Sequence, residues 1–319
     1  MLRWAIFLAG VLAAVGCATG TGLDDDDDDD ATDAEGSDPL RFFEQTSQEE
    51  ITATIEDLVG FGTRYTFTDG DDEARDYLVE RFAEVGLIAE LDPFVVSGED
   101  CANVIAKKQG TGATGVVWIY SAHYDSTSTD AELYAPGADD NASGVAAVLE
   151  AARLLAGHEF RDSIWFVMTA AEEQGSRGSE HLVQWLGDES VDVAGVIAPD
   201  MIGYWPLGED DLMDILGDGE SEHLVEGMAA VADALGVAHK DYINHAYCYG
   251  DDHTNFQEAG IPAITPMDCV EAHNLPGSGE HTPHYHQVSD TIDTLDLPFL
   301  TKASGVITST LAEWAGEQD

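Results

Sequence analysis

The sequence predicts a single α/β domain, with a mixed, mostly parallel central sheet and helices on both faces. Three observations point to it. The runs GVVWIYSA (115–122), SIWFVMTA (163–170) and VAGVIA (193–198) are apolar without alternation, as strands buried on both faces are. Stretches with helical spacing lie between these runs, so strand and helix alternate along the chain. Residues 40–319 contain no internal repeat, and their length suits one large core with little left for a second domain.

The elements follow in order. Met1–Gly16 reads MLRWAIFLAGVLAAVG, with Arg3 ahead of a short apolar run from Ala5 to Val15. That run is too short to cross ~30 Å of hydrocarbon as a helix, and its pattern is that of a secretory signal peptide. It ends in small residues and Cys17, an ending similar to the lipobox of bacterial lipoproteins, although Ala14 stands where that pattern usually has Leu. Residues 1–17 are therefore expected to be a signal peptide whose Cys17 becomes lipidated; cleavage near Ala18 without lipidation is the alternative. Residues 18–39 carry seven consecutive Asp (Asp24–Asp30) and nothing that could be buried. They are expected to form an extended acidic tether, because like charges repel and a run without turn-forming Gly builds no calcium cage.

In the body of the chain, 40–319, helical spacing covers Ser47–Val59 and Asp71–Val85, the second closed by Gly86 as a C-cap. Helices are also predicted over Ser143–Ala156, Gly178–Leu186, Ser221–Leu235 and Leu297–Glu317. Further strands are predicted over 241–247 and IPAITPM (261–267).

Lys and Arg number 12 against 63 Asp and Glu, a net charge of −51. Such a chain repels phosphate, which excludes a nucleic-acid-binding role and disfavours docking on anionic membranes through basic patches. The excess of carboxylate, with only Lys107, Lys108, Lys240 and Lys302 as lysines, suits an exported protein, including one that meets high salt, and equally suits simple solubility.

In an open α/β sheet, sites form beyond the carboxyl ends of the strands. Here the first apolar run leads into His123 and Asp125, the second into Glu172 and Glu173, the third into Asp200. GADDNASG (137–144) precedes a predicted helix, and HTPHYHQVSDT (281–291) holds three His. Singly these have ordinary readings: loop polarity, a helix cap at Asp140 or Asn141, a solvated Glu pair. Together, as His and carboxylates without Cys, they suit one or two divalent metals with open positions. The residues alone lead to a metal-dependent hydrolase.

The ordered motifs AHYDS, GADDNASG, AEEQGSRGS, APDMIGY and HYHQVSDT resemble those of the co-catalytic zinc exopeptidases typified by secreted bacterial leucine aminopeptidases. Glutamate carboxypeptidase and the glutaminyl cyclases belong to the same wider family, and the similarity runs from about residue 45 to 316. The resemblance implies two Zn²⁺ ions: His123 and Asp200 on one, Glu173 and His286 on the other, and Asp140, not Asp139, bridging both. It implies a cis peptide between Asp140 and Asn141, Asp125 orienting His123, and Glu172 free to act as general base. His286 is selected from His273, His281 and His284 because only it has Tyr285 before it and Asp290-Thr291 after. Tyr285 is placed either to donate to an oxyanion or to pack beside the ligand. His253, in DDHTNF, falls where the family commonly has Ser-Asp-His; Asp251 replaces that Ser, and His253 is read as structural or pocket-lining.

The implied activity is removal of the N-terminal residue from peptides with a free amine, by a monomeric enzyme either attached to the outer membrane through Cys17 or secreted. A carboxypeptidase needs a cation, usually Arg, for the terminal carboxylate, and of the eight Arg only Arg177 lies inside a site motif. Glutaminyl cyclase or carboxypeptidase activity, and a non-catalytic module on the same fold, are the alternatives. A disulfide between Cys248 and Cys269 is expected, with Cys101 free.

Overall fold

A computed structural model describes residues 39–206, 211–244, 250–268 and 282–318. The predicted signal peptide, Cys17, the tether up to residue 38, and Cys248 and Cys269 lie outside the described residues. Cys101 is a buried free thiol.

The chain opens with helices α1 (Pro39–Gln45), α2 (Gln48–Gly60) and α3 (Asp69–Glu84). Ser47 caps α2 by accepting from the Glu50 amide, and Gly86 adopts φ 84° just beyond α3, where an L-residue would be strained. Then come β1 (Ala89–Val96), β2 (Glu99–Lys108), β3 (Val116–His123), α4 (Gly144–Leu155), the short β4 (Glu159–Phe160), β5 (Ser163–Thr169) and α5 (Arg177–Asp188). The chain continues through β6 (Asp192–Ile197), β7 (Met213–Gly217), α6 (Glu222–Leu235), β8 (His239–Ile243), α7 (Asp252–Glu258), β9 (Ala263–Pro266), α8 (Leu297–Ala315) and β10 (Glu317–Gln318). The predicted final helix stops two residues early because Gly316 turns left-handed (φ 70°) and releases β10 to pair with β4. The strand predicted over 241–247 begins earlier, at His239, and residues 245–247 lie outside the described residues.

Eight strands form one sheet in the order β1-β2-β5-β3-β6-β9-β7-β8. β5, β3, β6 and β9 run parallel as neighbours, as do β7 and β8, while β1-β2, β2-β5 and β7-β9 are antiparallel. The three continuous apolar runs are three of these four adjacent parallel strands, β3, β5 and β6. Period-2 alternation splits their side chains between two cores. Tyr120, Ala122, Phe166 and Met168 join the larger core under α2, α3, α4, α6 and α8; Val117, Ile119, Trp165 and Val167 join a smaller one under α5 and α7. Burial on both faces fixes the register of these strands, since a one-residue slip would exchange the two cores. β3, β5, β6 and β9 thus end at the same sheet edge, and the loops beyond them carry the candidate ligands.

Candidate metal centre

β3 delivers His123 as its last residue, paired in register with Thr169 at the end of β5. The His123 Nδ1–H donates to the Asp125 backbone carbonyl at 3.1 Å. A carbonyl only accepts, so Nδ1 carries a proton and Nε2 is the ring nitrogen turned inward, with a lone pair to offer a metal once it is deprotonated. Nε2 lies 3.3 Å from Asp140 Oδ1 and 3.4 Å from Asp200 Oδ2. On the other side, His286 Nε2 lies 3.3 Å from Asp140 Oδ2 and 3.1 Å from Glu173 Oε2. Two donor groups result, His123–Asp140–Asp200 and Asp140–Glu173–His286, each with its ligand atoms within 4.8 Å of one another. Asp140 belongs to both, one oxygen facing each histidine.

Asp139 turns away: its Oδ1 accepts from the Gly203 amide at 2.7 Å and its carbonyl accepts from the Ser143 hydroxyl. The peptide bond between Asp140 and Asn141 is cis. Asn141 fastens the loop at both ends, donating through Nδ2 to the Pro199 carbonyl and accepting the Gly144 amide at Oδ1, so the segment before Asp200 and the start of α4 meet at one side chain.

The Asp125 carboxylate does something different from orienting His123 directly. It lies 3.6 Å from Nδ1 and accepts instead from the amides of Glu172 (3.0 Å) and Glu173 (3.1 Å) and from the Thr66 hydroxyl (3.0 Å). Asp125 therefore ties the β3 loop to the two glutamates. Asp290 plays the matching part for the bridging loop, accepting the Asp139 and Asp140 amides at 2.9 and 3.1 Å. Arg64, fully buried, donates to the carbonyls of Tyr124, Pro136 and Gly137 from behind the centre. Nothing in the local sequence marks Thr66 or Arg64, because their roles come from loops distant in the chain; Asp290 was visible only as a neighbour of His286.

Tyr285 stacks on the His286 ring, centroids 3.7 Å apart. Burial, with Asp140 and Glu173 nearby, pushes its phenol well above the usual range, which keeps the O–H intact as a donor. His253 is buried outside both donor groups, and burial lowers its pKa to about 4. His284 bonds Ser289, while His273 and His281 lie outside the described residues.

Electrostatically the centre lacks positive charge. Burial raises the pKa of Glu173 to about 8, with Asp140 adding to the rise, and burial also lifts Asp200. Burial works against ionised Asp140 too, but His123 and His286 outweigh it and hold that carboxyl well below the usual range. The histidines are correspondingly raised against the effect of burial, His286 to about 10. His123 Nε2, Glu173 Oε1 and Asp200 Oδ1 are buried without a hydrogen-bond partner. Such orphans are costly, and divalent cations in the two donor groups would engage these residues, His123 and Asp200 in one and Glu173 in the other, while neutralising the carboxylates. Imidazole and carboxylate without thiolate is a donor set that zinc accepts.

Backbone strain concentrates here. Among the described non-glycine residues with positive φ, Ala171 (56°), Ser176 (53°), Met201 (48°) and His286 (55°) are candidate ligands or flank the loops that carry them. The left-handed conformation costs an L-residue roughly 1–2 kcal/mol, and such strain persists where packing over-determines the backbone.

The comparisons with known proteins agree with this geometry. The model of peptidase family M28 matches residues 103–311. A probable zinc metalloprotease of Pyrenophora teres f. teres is 30% identical over 331 residues, covering 86% of this chain and 68% of the relative. Another from Pyricularia oryzae is 33% identical over 262 residues, covering 66% and 52%. Among solved structures, LapA of Legionella pneumophila superposes with TM-score 0.76 at 25% identity, covering 88% of this chain and 76% of LapA. A zinc aminopeptidase of Bacillus subtilis (TM-score 0.74, 16% identity, 85% and 96% covered) and a glutaminyl cyclase of Porphyromonas gingivalis (0.70, 21%, 84% and 99%) share the fold. Five ordered motifs, a shared fold, and a family match across the whole ligand-bearing region lead to one conclusion: the chain belongs to peptidase family M28 and is a zinc-dependent peptidase.

Proposed function

We propose that this chain is an aminopeptidase that holds two zinc ions. The observation that carries the two-ion reading is Asp140, whose two oxygens face two separate donor groups. His123 and Asp200 would hold one ion and Glu173 and His286 the other, with Asp140 shared. Zinc in such a site supplies a Lewis acid for the scissile carbonyl and lowers the pKa of water toward ~7.

The chain's own residues supply the proton transfers. Glu172 belongs to neither donor group, yet its amide is fixed by Asp125 beside that of Glu173. Burial pushes its carboxyl well above the usual range; Asp252, Asp251 and Asp200 add to the rise, and His123 opposes it. A carboxylate of raised basicity suits a group that takes the proton from the attacking water and returns it to the leaving amine. The Tyr285 phenol, still protonated, is a candidate donor to the developing oxyanion.

Specificity for the amino terminus follows from where the arginines are. Arg41 pairs with Glu317, Arg75 with Asp72 and Asp76, Arg81 with Glu84, Arg153 with Glu150, Arg161 with Asp162 and Arg177 with Glu180. Arg64 is sealed among backbone carbonyls. Every described arginine is thus committed, and none is left to receive a substrate's terminal carboxylate, whereas the surplus of carboxylate around the centre favours a cationic α-amine. A panel of aminoacyl-nitroanilides, run beside N-blocked versions with and without chelator, tests the reading. Cleavage of the unblocked substrates alone, abolished by chelator, is expected. Equal cleavage of blocked substrates would overturn it, and cyclisation of N-terminal Gln without release of an amino acid would favour the cyclase alternative. Export, with Cys17 as lipid anchor, is part of the same proposal; the mass of the mature N-terminal peptide tests it.

A further inference from the structure

The loop carrying Glu172 and Glu173 turns back on itself through Ser176, a residue that none of the assigned roles uses. Ser176 is buried and left-handed at φ 53°, and the Gly175 and Ser176 amides both donate to the Glu172 carbonyl at 2.7 Å. Its hydroxyl oxygen lies 2.7 Å from Glu172 Oε1 and 2.7 Å from the Gly250 carbonyl oxygen. Its own carbonyl accepts from Asn255 Nδ2 at 2.9 Å and from the Ser179 hydroxyl at 3.1 Å. Asn255 lies on α7, which is fastened to the sheet edge by the Thr169 hydroxyl donating to Asp252. Ser176 is therefore held from two directions, by α7 and by Gly250 two residues before it, and holds one carboxylate oxygen of Glu172 in turn.

We propose that Ser176 is the positioning residue for Glu172, and that the turn before α7 sets the aim of the general base through the chain Gly250 carbonyl, Ser176 hydroxyl, Glu172 carboxyl. The inference rests on Glu172 being that base. A hydroxyl both donates and accepts. It donates its proton to Glu172 Oε1 when the glutamate is ionised, and can still do so when Glu172 has taken the water's proton, because that proton sits on the other carboxyl oxygen and leaves Oε1 an acceptor. The hold is thus available before and after proton transfer, so the glutamate need not change rotamer between taking the proton and returning it to the leaving amine. Alanine would serve the fold as well as serine does unless the hydroxyl is used, and glycine would serve the left-handed backbone better.

The test uses Ser176→Gly and Ser176→Ala in the zinc-loaded enzyme, together with Glu172→Gln and the double variants. Both Ser176 variants lack the hydroxyl but differ in backbone strain, so a structural role would separate them and a positioning role would not. Each is expected to lose about tenfold in kcat, the loss of one hydrogen bond to a charged group, with KM and bound zinc unchanged, although Ser176→Gly melts at or above the temperature of Ser176→Ala. In the Glu172→Gln background, Ser176→Gly should cost nothing further. Wild-type kcat in Ser176→Gly while Glu172→Gln is inactive would overturn this inference and leave the base assignment standing; so would a loss that multiplies fully in the double variant. An active Glu172→Gln would instead remove the base assignment and this inference with it.

Discussion

Glu172 and Glu173 are neighbours in the chain with different proposed work, and single substitutions separate them. Glu173→Ala removes a ligand atom, so bound zinc and activity should fall together. Glu172→Gln keeps size and hydrogen bonding but cannot take a proton; it should retain the metal and lose ~10²–10⁴-fold in kcat. Zinc analysis beside kinetics checks both, and metal loss in Glu172→Gln would reverse the assignments. Asp71 makes a separate prediction about stability. Burial, aided by Asp125 and Asp72, pushes its carboxyl up to about 8, and its Oδ1 has no partner. Between the ordinary value of 3.8 and about 8 the folded state binds more protons than the unfolded one, so Asp71 makes stability fall as pH rises through that window. Asp71→Asn should therefore melt higher than wild type by a margin that is larger at pH 8 than at pH 5; an equal margin at both would show that the carboxyl does not titrate this way. At this scale the motifs revealed the ligand candidates because five of them stand in order at strand ends and before a helix, although each His or carboxylate alone has ordinary uses. They did not reveal Arg64, Thr66 or Ser176, whose side chains act on loops that no sequence spacing connects to them.

At the scale of elements, the loop between β5 and α5 shows how a helix is made to serve the site. Asn103 Oδ1 accepts the Ala170 amide and its Nδ2 donates to the Gly178 carbonyl, while the Gly178 amide donates to the Ala170 carbonyl. The neck of the loop is closed so tightly that a Cβ on Gly178 would sit 2.4 Å from both the Ala170 carbonyl oxygen and Asn103 Oδ1. Gly187, on the same helix, has nothing within 4 Å of such a Cβ. Gly187→Ala should stabilise by ~0.5–1 kcal/mol through helix propensity and loss of unfolded-state freedom. Gly178→Ala should destabilise and also lower bound zinc, because α5 must move and carry the Glu172–Glu173 loop with it. Thermal melts and zinc content of the pair check this; equal behaviour would mean the neck yields freely. The elements that were legible in the sequence are those whose burial is one-sided or complete: β3, β5 and β6 as apolar runs, α4 and α6 by their periodicity. β1 escaped notice because it is an edge strand carrying Pro93 and mixed polarity. α7 escaped because seven residues are too few to show a helical period, and β7 because its five residues, MDILG, mix Asp214 and Gly217 into the apolar run.

For the whole molecule, charge is the dominant physical fact. The 12 Lys and Arg cannot neutralise 63 Asp and Glu, and the described arginines are already engaged, so most carboxylates repel one another without local compensation. The unfolded chain relaxes that repulsion by expanding, which makes it a cost of the compact state. Raising NaCl from about 10 mM to 1 M shortens the Debye length from ~30 to ~3 Å and should screen most of the cost. The thermal midpoint is therefore expected to rise across that range, by several degrees if the screening is worth even a few kcal/mol. Free zinc must be held constant in the experiment, because a metal that binds only the folded state raises the midpoint by mass action and salt alters its activity. A parallel series in sucrose, which favours compact states through exclusion rather than screening, separates ionic from general stabilisation. A steeper response to NaCl than to sucrose at matched osmolality is the signature of relieved repulsion. A midpoint that stays flat or falls with NaCl would mean the acidic surface is already neutralised by bound cations, and that net charge does not limit the stability of this fold.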